Sequence, residues 1–212
     1  TTGWKGAHDE LVERFRRHEA DVLLGTQMVA KGLDFPGVTL VGVISADTGL
    51  HMPDFRAAER SFQLLTQVAG RSGRGLLLGE VVIQTRLPEE PVLQAAARQD
   101  YLAFSEAELL ERRAAGFPPY GRLLILRWRG ADEQAVMRVA AAGSQLLAKV
   151  CCSDVTVLGP APAPLARLRG NYRWQSLLVG TNARDLRATA VAALDDLRTA
   201  AARHDVDVAA VV

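Results

Sequence analysis

The chain has 212 residues, is 49% hydrophobic and 23% charged, and carries a net charge of +1. That composition excludes a disordered or low-complexity chain and suffices for one or two globular domains. No apolar run reaches the ~18 residues that a membrane-crossing helix needs. The two cysteines, Cys151 and Cys152, are too few for a disulfide framework or a four-ligand zinc site, which makes a reducing, cytoplasmic setting the expectation. The opening Thr1-Thr2-Gly3-Trp4 has no initiator Met and no leader, so a piece of a longer protein is expected.

In chain order, residues 6–19 read as a helix with Leu11, Val12 and Phe15 on one stripe. Residues 21–26 read as a short buried strand. The near-continuous apolar run 38–46 reads as a strand covered on both faces. Asp54 is the expected N-cap of a helix that turns Phe55, Ala58, Phe62, Leu65 and Val68 or Ala69 inward. Residues 79–85 read as another buried strand. Strand and helix thus alternate to residue 86, which argues an α/β fold with a parallel sheet.

Residues 89–114 read as helical with Asp100 as a cap, and Gly116-Phe-Pro-Pro-Tyr-Gly121 stops them. The domain boundary is placed there, giving 1–115 and 116–212. Beyond it the pattern predicts a strand (122–129), a helix (132–150), a strand (155–158), a Pro-rich loop, a strand (172–179), a helix (183–203) and a strand (206–211). That order, β-α-β-β-α-β, is the ferredoxin-like α+β pattern. The helices carry inward stripes: Val136, Val139, Ala140, Gly143 and Leu147, then Leu186, Ala190, Ala193 and Leu197. Asn182 with Asp185 three later has the form of a capping box.

Two stretches carry chemistry. Gly70-Arg-Ser-Gly-Arg74 sets two arginines three apart with glycine beside them, an arrangement that suits the charge on a transferred phosphoryl group. Taken alone it is more often a basic surface turn. The second stretch, residues 155–184, contains Arg167, Arg169, Arg173 and Arg184 and no acid at all. Arginine supplies 22 of the 25 basic residues, a bias that genome composition explains better than anion binding does, which leaves the clustering in 155–184 as a separate signal.

The run Gln67-x-x-Gly-Arg-x-Gly-Arg74, preceded by Thr26-x-x-x-Ala-Lys-Gly-x-Asp-Phe35, has the order and spacing of motifs VI and V of superfamily 2 helicases. The match sharpens over residues 24–36, Ser45-Ala-Asp-Thr-Gly-Leu50, Pro53-Asp-Phe-Arg-Ala-Ala-Glu-Arg60 and 63–71. It continues through residues 111–121 and 158–166 to Tyr172-Arg-Trp-Gln175. Over nearly its whole length the chain resembles the family of bacterial primosomal protein N′, the replication-restart helicases. Residues 111–175 have no reason to match an RNA helicase or a restriction translocase.

The resemblance implies the later part of a RecA-like helicase lobe 2, followed by a C-terminal domain that binds DNA and partners. It implies a DNA translocase that recognises stalled or branched forks and restarts replication through primosome assembly. The alternative is a non-catalytic DNA-binding scaffold that keeps the lobe as architecture. By motif, Arg71 and Arg74 face the γ-phosphate, with Arg74 as the arginine finger, and Gln67 orients their loop. Gly32 and Asp34 line the nucleotide cleft, and Thr26 touches a DNA phosphate. ATP with Mg2+ is the implied cofactor of a longer parent. Zinc belongs to a cysteine-rich module that is not in this sequence, and no Gly-x-x-x-x-Gly-Lys-Thr or Asp-Glu-x-His occurs either, so the chain by itself is expected to bind no cofactor and to be inactive. The family's Asp-Val-Asp-Pro ending reads Asp205-Val-Asp-Val208 here.

For DNA, Arg167, Arg169 and Arg173 flank Tyr172 and Trp174, a set suited to phosphates and to stacking on an unpaired base; the rival reading packs the aromatics in the core. Alternation puts Tyr172 and Trp174 on one face, with Arg173 and Gln175 on the other. The expected partners are branched and single-stranded DNA, primosome proteins and the acidic tail of single-stranded-DNA-binding protein. Arg184 and Arg187 are the candidate cations for that tail, and a monomer with no membrane association is expected.

Overall fold

A computed structural model describes residues 7–26, 35, 37–70 and 79–211. Contacts divide the chain into two compact units, residues 1–50 with 58–104 and residues 51–57 with 105–212.

The first unit begins with α1 (Ala7–Arg16). Val12 is buried and Phe15 meets the Phe35 ring edge-on at 5.0 Å, but Leu11, expected on the same stripe, is 47% exposed. Strands β1 (Leu40–Val43) and β2 (Glu80–Ile83) pair in parallel, as the alternation of elements implied. Between them lie α2 (Asp47–Leu50) and α3 (Ala57–Ala69). Helices α4 (Pro91–Ala97) and α5 (Tyr101–Ala115) follow. Asp47 bonds the Thr85 hydroxyl and, at 3.0 Å, the Arg86 amide, fixing the chain just beyond β2. Phe62 of α3 stacks on Phe104 at 4.2 Å within a core completed by Leu65, Val92, Leu93, Ala95 and Ala96. Asp100 caps α5, its carboxylate accepting from the Ala103 amide.

Three expectations need correction here. Residues 21–26 form no strand, and Val22 and Leu24 are 80% and 82% exposed. An apolar run becomes a strand only where a neighbour takes its N–H and C=O groups, and no described strand lies beside this one. Strands β1 and β2 are not covered on both faces: exposure alternates along each, and Leu40 and Val82 face outward. Helix α3 starts at Ala57, so Asp54 closes the preceding turn, its carboxylate accepting from the Arg56 amide at 3.0 Å.

The second unit contains β3 (Arg122–Gly130), α6 (Glu133–Val150), β4 (Val155–Leu168), β5 (Asn171–Gly180), α7 (Ala183–Ala202) and β6 (Val206–Val211). All pairings are antiparallel in the order β4-β5-β3-β6, which is the ferredoxin-like arrangement. By contacts, α5 contributes Tyr101–Phe104 to the first unit and Ser105–Ala115 to this one. Asp132 caps α6 through the Gln134 and Ala135 amides, and Asn182 caps α7 through the Arg184 amide. All nine stripe residues are buried. At their centre Trp128, fully buried, lies over Gly143 and donates its indole N–H to Ser176 Oγ at 3.0 Å; Ser176 Oγ in turn bonds Ser144 Oγ at 2.7 Å.

The Pro-rich stretch is no loop. Residues 159–165 lie inside β4, with register irregularities between Leu158 and Ala161 and between Pro162 and Arg167. Strand β4 is an edge, where a proline without N–H costs no ladder bond. The hairpin to β5 turns through Arg169 (φ 50°) and Gly170 (φ 83°), the two left-handed residues of a type I′ turn.

A Cβ on Gly143 would overlap the indole, with Trp128 Cζ2 at 2.7 Å. Gly143→Ala is therefore expected to destabilise the chain by about 1–3 kcal/mol through overpacking. Ser176→Ala, which strands the indole N–H, should cost about 1–3 kcal/mol. Urea titration checks both, as a lower midpoint at unchanged slope.

Candidate nucleic-acid interface

Four of the motif residues, Gly32, Asp34, Arg71 and Arg74, lie outside the described residues. Gln67 sits half-buried in the last turn of α3, immediately before that stretch, and Thr26 is exposed at the end of an unpaired segment. No geometry for a nucleotide site follows from these two alone.

The arginines of the second unit are better defined, because the hairpin fixes their backbone. Arg167, on the edge strand opposite Tyr172, holds its guanidinium over that ring at 5.1 Å. Arg169 is exposed at the tip of the type I′ turn. Arg173 and Trp174 separate as alternation requires. Trp174 lies opposite Trp128 and packs half-buried against the helix-covered core, so the packing reading describes it. Arg173 lies opposite Arg129 on the other sheet face.

That second face has its own cover at one end. Gln175, buried, donates its side-chain amide to the Pro53 carbonyl at 2.7 Å. Phe55 meets Phe117 at 5.8 Å and lies under the Arg112 guanidinium at 5.3 Å. Arg112 also bonds Glu108 at 2.7 Å, both side chains being about an eighth exposed. The segment 51–57 is thereby strapped to the sheet.

Sequence reading missed Arg127 and Arg129. They fall in Leu123-Leu-Ile-Leu-Arg-Trp-Arg129, which reads as a core strand; the signal was two charges at spacing two inside an apolar run. Arg129 bonds Asp207 at 2.6 Å. Arg184 and Arg187 are both exposed, in the first and second turns of α7, where the Arg187 Nε donates to the Ala183 carbonyl at 3.3 Å.

Comparison with known proteins adds to this. Residues 5–75 match the helicase conserved C-terminal domain and residues 113–210 match the primosomal protein N C-terminal domain. The replication restart protein PriA of Synechocystis sp. is 48% identical over 178 residues, covering 84% of this chain and 21% of that protein. PriA of Bacillus subtilis is 46% identical over 178 residues, 84% of this chain and 22% of that protein. PriA of Treponema pallidum is 44% identical over 196 residues, 92% of this chain and 30% of that protein. The chain belongs to the PriA family. It spans about a fifth to three tenths of the length of these PriA relatives. Among the described residues no helix is long and apolar enough to cross a membrane.

Trp174 in β5 and Arg169 in the turn before it should respond differently to truncation. Trp174→Ala is expected to lower stability by about 2 kcal/mol or more. Arg169→Ala should stay within about 0.5 kcal/mol of the parent. Thermal denaturation followed by circular dichroism distinguishes them.

Proposed function

We propose that this chain belongs to an ATP-dependent DNA helicase that recognises stalled or branched replication forks and restarts replication by assembling the primosome. One observation carries the reading: a helicase C-terminal domain and a primosomal protein N C-terminal domain occur in that order in one chain. In this reading the protein works as a monomer in the cytoplasm on branched and single-stranded DNA.

The residues divide the work. Arg74 is the arginine finger and Arg71 its neighbour, two guanidinium groups set to meet charge that develops on a transferred phosphoryl group. Gln67 holds their loop, Gly32 and Asp34 line the same cleft, and Thr26 takes a DNA phosphate. The sequence has no phosphate loop, so these residues do not by themselves fit ATP with Mg2+; when bound in a longer parent, the nucleotide supplies the energy of translocation. Zinc does not fit the residues present. Two adjacent cysteines are all the thiols in the chain, and no metal-binding group of three occurs among the described residues, so no step runs through zinc. In the second unit Arg167, Arg169 and Arg173 meet the DNA backbone. Arg184 and Arg187, one turn apart at the positive end of α7, meet the acidic tail of single-stranded-DNA-binding protein.

In a parent that carries the phosphate loop, Arg74→Ala is expected to cut ATP hydrolysis by roughly 10³-fold or more. Steady-state turnover checks it: unchanged turnover removes the finger, and a wild-type parent without turnover favours the scaffold alternative. For the partner, Arg184→Ala is expected to weaken binding of a peptide copy of the acidic tail, read by calorimetric titration. Equal affinity in the variant moves the tail site elsewhere.

A further inference from the structure

Across the sheet face that the helices do not cover, two rows of side chains lie side by side near the hairpin end. One row is Arg173, Arg129 and Asp207; the next is Gln175, Arg127 and Ala209. Three arginines thus share a small surface with one carboxylate. Arg129 takes that carboxylate, its Nη2 on Asp207 at 2.6 Å. Arg173 has no ion pair among the described residues, and it stands directly across from Arg129, a like-charge pairing that costs stability in an antiparallel sheet.

Arg127 is the decisive residue. Its Nε is buried and has no hydrogen-bond partner among the described residues, although the buried Gln175 amide beside it is satisfied by the Pro53 carbonyl. Leaving a buried donor of a charged group unpaired is expensive, so such atoms call for an explanation. On its other side Arg127 faces Ala209, small and exposed, so the half-buried side chain has room to turn towards solvent on the β6 side and bring its Nε with it.

We propose that Arg127, Arg173 and Arg129 form a binding site for phosphate oxyanions on this open sheet face, occupied by the phosphodiester backbone of single-stranded DNA. A phosphate supplies what the arrangement lacks: an acceptor for the stranded Nε and a negative charge between two opposed guanidinium groups. Guanidinium forks bind it bidentately. Arg127 and Arg129 stand ~6.8 Å apart along the strand, so they take successive phosphates rather than one. Only the source of the phosphate rests on the function proposed above. The oxyanion site itself stands on the stranded donor and the opposed cations.

The test uses the 212-residue chain, a labelled single-stranded oligonucleotide read by fluorescence anisotropy across a salt series, and inorganic phosphate read by thermal shift. The double variant R127Q/R173Q should bind the oligonucleotide at least tenfold more weakly, and its slope of log affinity against log salt should flatten by about 0.7 for each phosphate that the variant no longer neutralises. Phosphate should raise the thermal midpoint of the wild type and not of the variant. R173Q alone should not lower the midpoint, since it relieves a like-charge pair. Wild-type affinity and slope in R127Q/R173Q, with weaker binding in R167A/R169A, overturn this site and keep the DNA reading. A wild type that binds no oligonucleotide but is stabilised by phosphate through these arginines overturns the DNA source and keeps the oxyanion site. A lowered midpoint in R173Q with unchanged oligonucleotide binding overturns the proposal and makes the arginines structural. Loss of acidic-tail binding alone in R127Q/R173Q also overturns it, and gives the face to a peptide.

Discussion

The fold of the second unit turns on one contact, the Trp128 indole laid over the missing side chain of Gly143. A fully buried tryptophan at the middle of β3 sets how closely α6 can approach the sheet. Its one polar atom then needs a partner in an apolar core, and Ser176 supplies it from a neighbouring strand, itself bonded to Ser144 of the helix. Because Trp128 and Trp174 are opposed across β3 and β5, the same contact fixes which face each alternating residue takes. The charged side chains in the middle of β3 and β5, namely Arg127, Arg129 and Arg173, are thereby sent to the other side.

That other side is treated unequally along its length. At one end, Phe55, Phe117 and the Gln175–Pro53 bond cover it with the strap 51–57 and the segment that follows α5. Towards the β4–β5 hairpin stand Arg129, exposed, and Arg173, half-buried, while Arg127 lies in the Gln175 row at the border of the strap. The same sheet face thus passes from a strapped end with Phe55 and Phe117 to a basic end at the hairpin. The first unit follows a different logic: its two described strands show one face to the α2, α3 and α4 side chains and the other outward.

Much of this was legible in the residues. Period-3.6 stripes named the buried residues of α6 and α7, and period-2 alternation set Trp174 and Arg173 apart, because both patterns report a backbone geometry that packing then obeys. Caps at Asp100 and Asn182 work in the same local way. Where the reading failed, the deciding partner was far away in sequence. Residues 21–26 look like a strand but have no neighbour to bond, and 159–165 look like a loop until β5 is placed beside them. Arg127 and Arg129 were hidden for a related reason, since an apolar run suggests core on both sides and only the tertiary fold shows which side is open. Motif spacing named Gly32, Asp34, Arg71 and Arg74, but spacing carries no coordinates, and their roles rest on chemistry alone.

The prolines of β4 have a bearing on behaviour in a crowd. An open sheet exposes a rim of amide donors along which another strand can align, and crowded copies would meet rim to rim. Pro160, Pro162 and Pro164 remove donors from that rim, and the shifts in register bend what remains. Those missing donors hinder sheet growth from that side, so crowded copies are kept from fusing through the middle of β4.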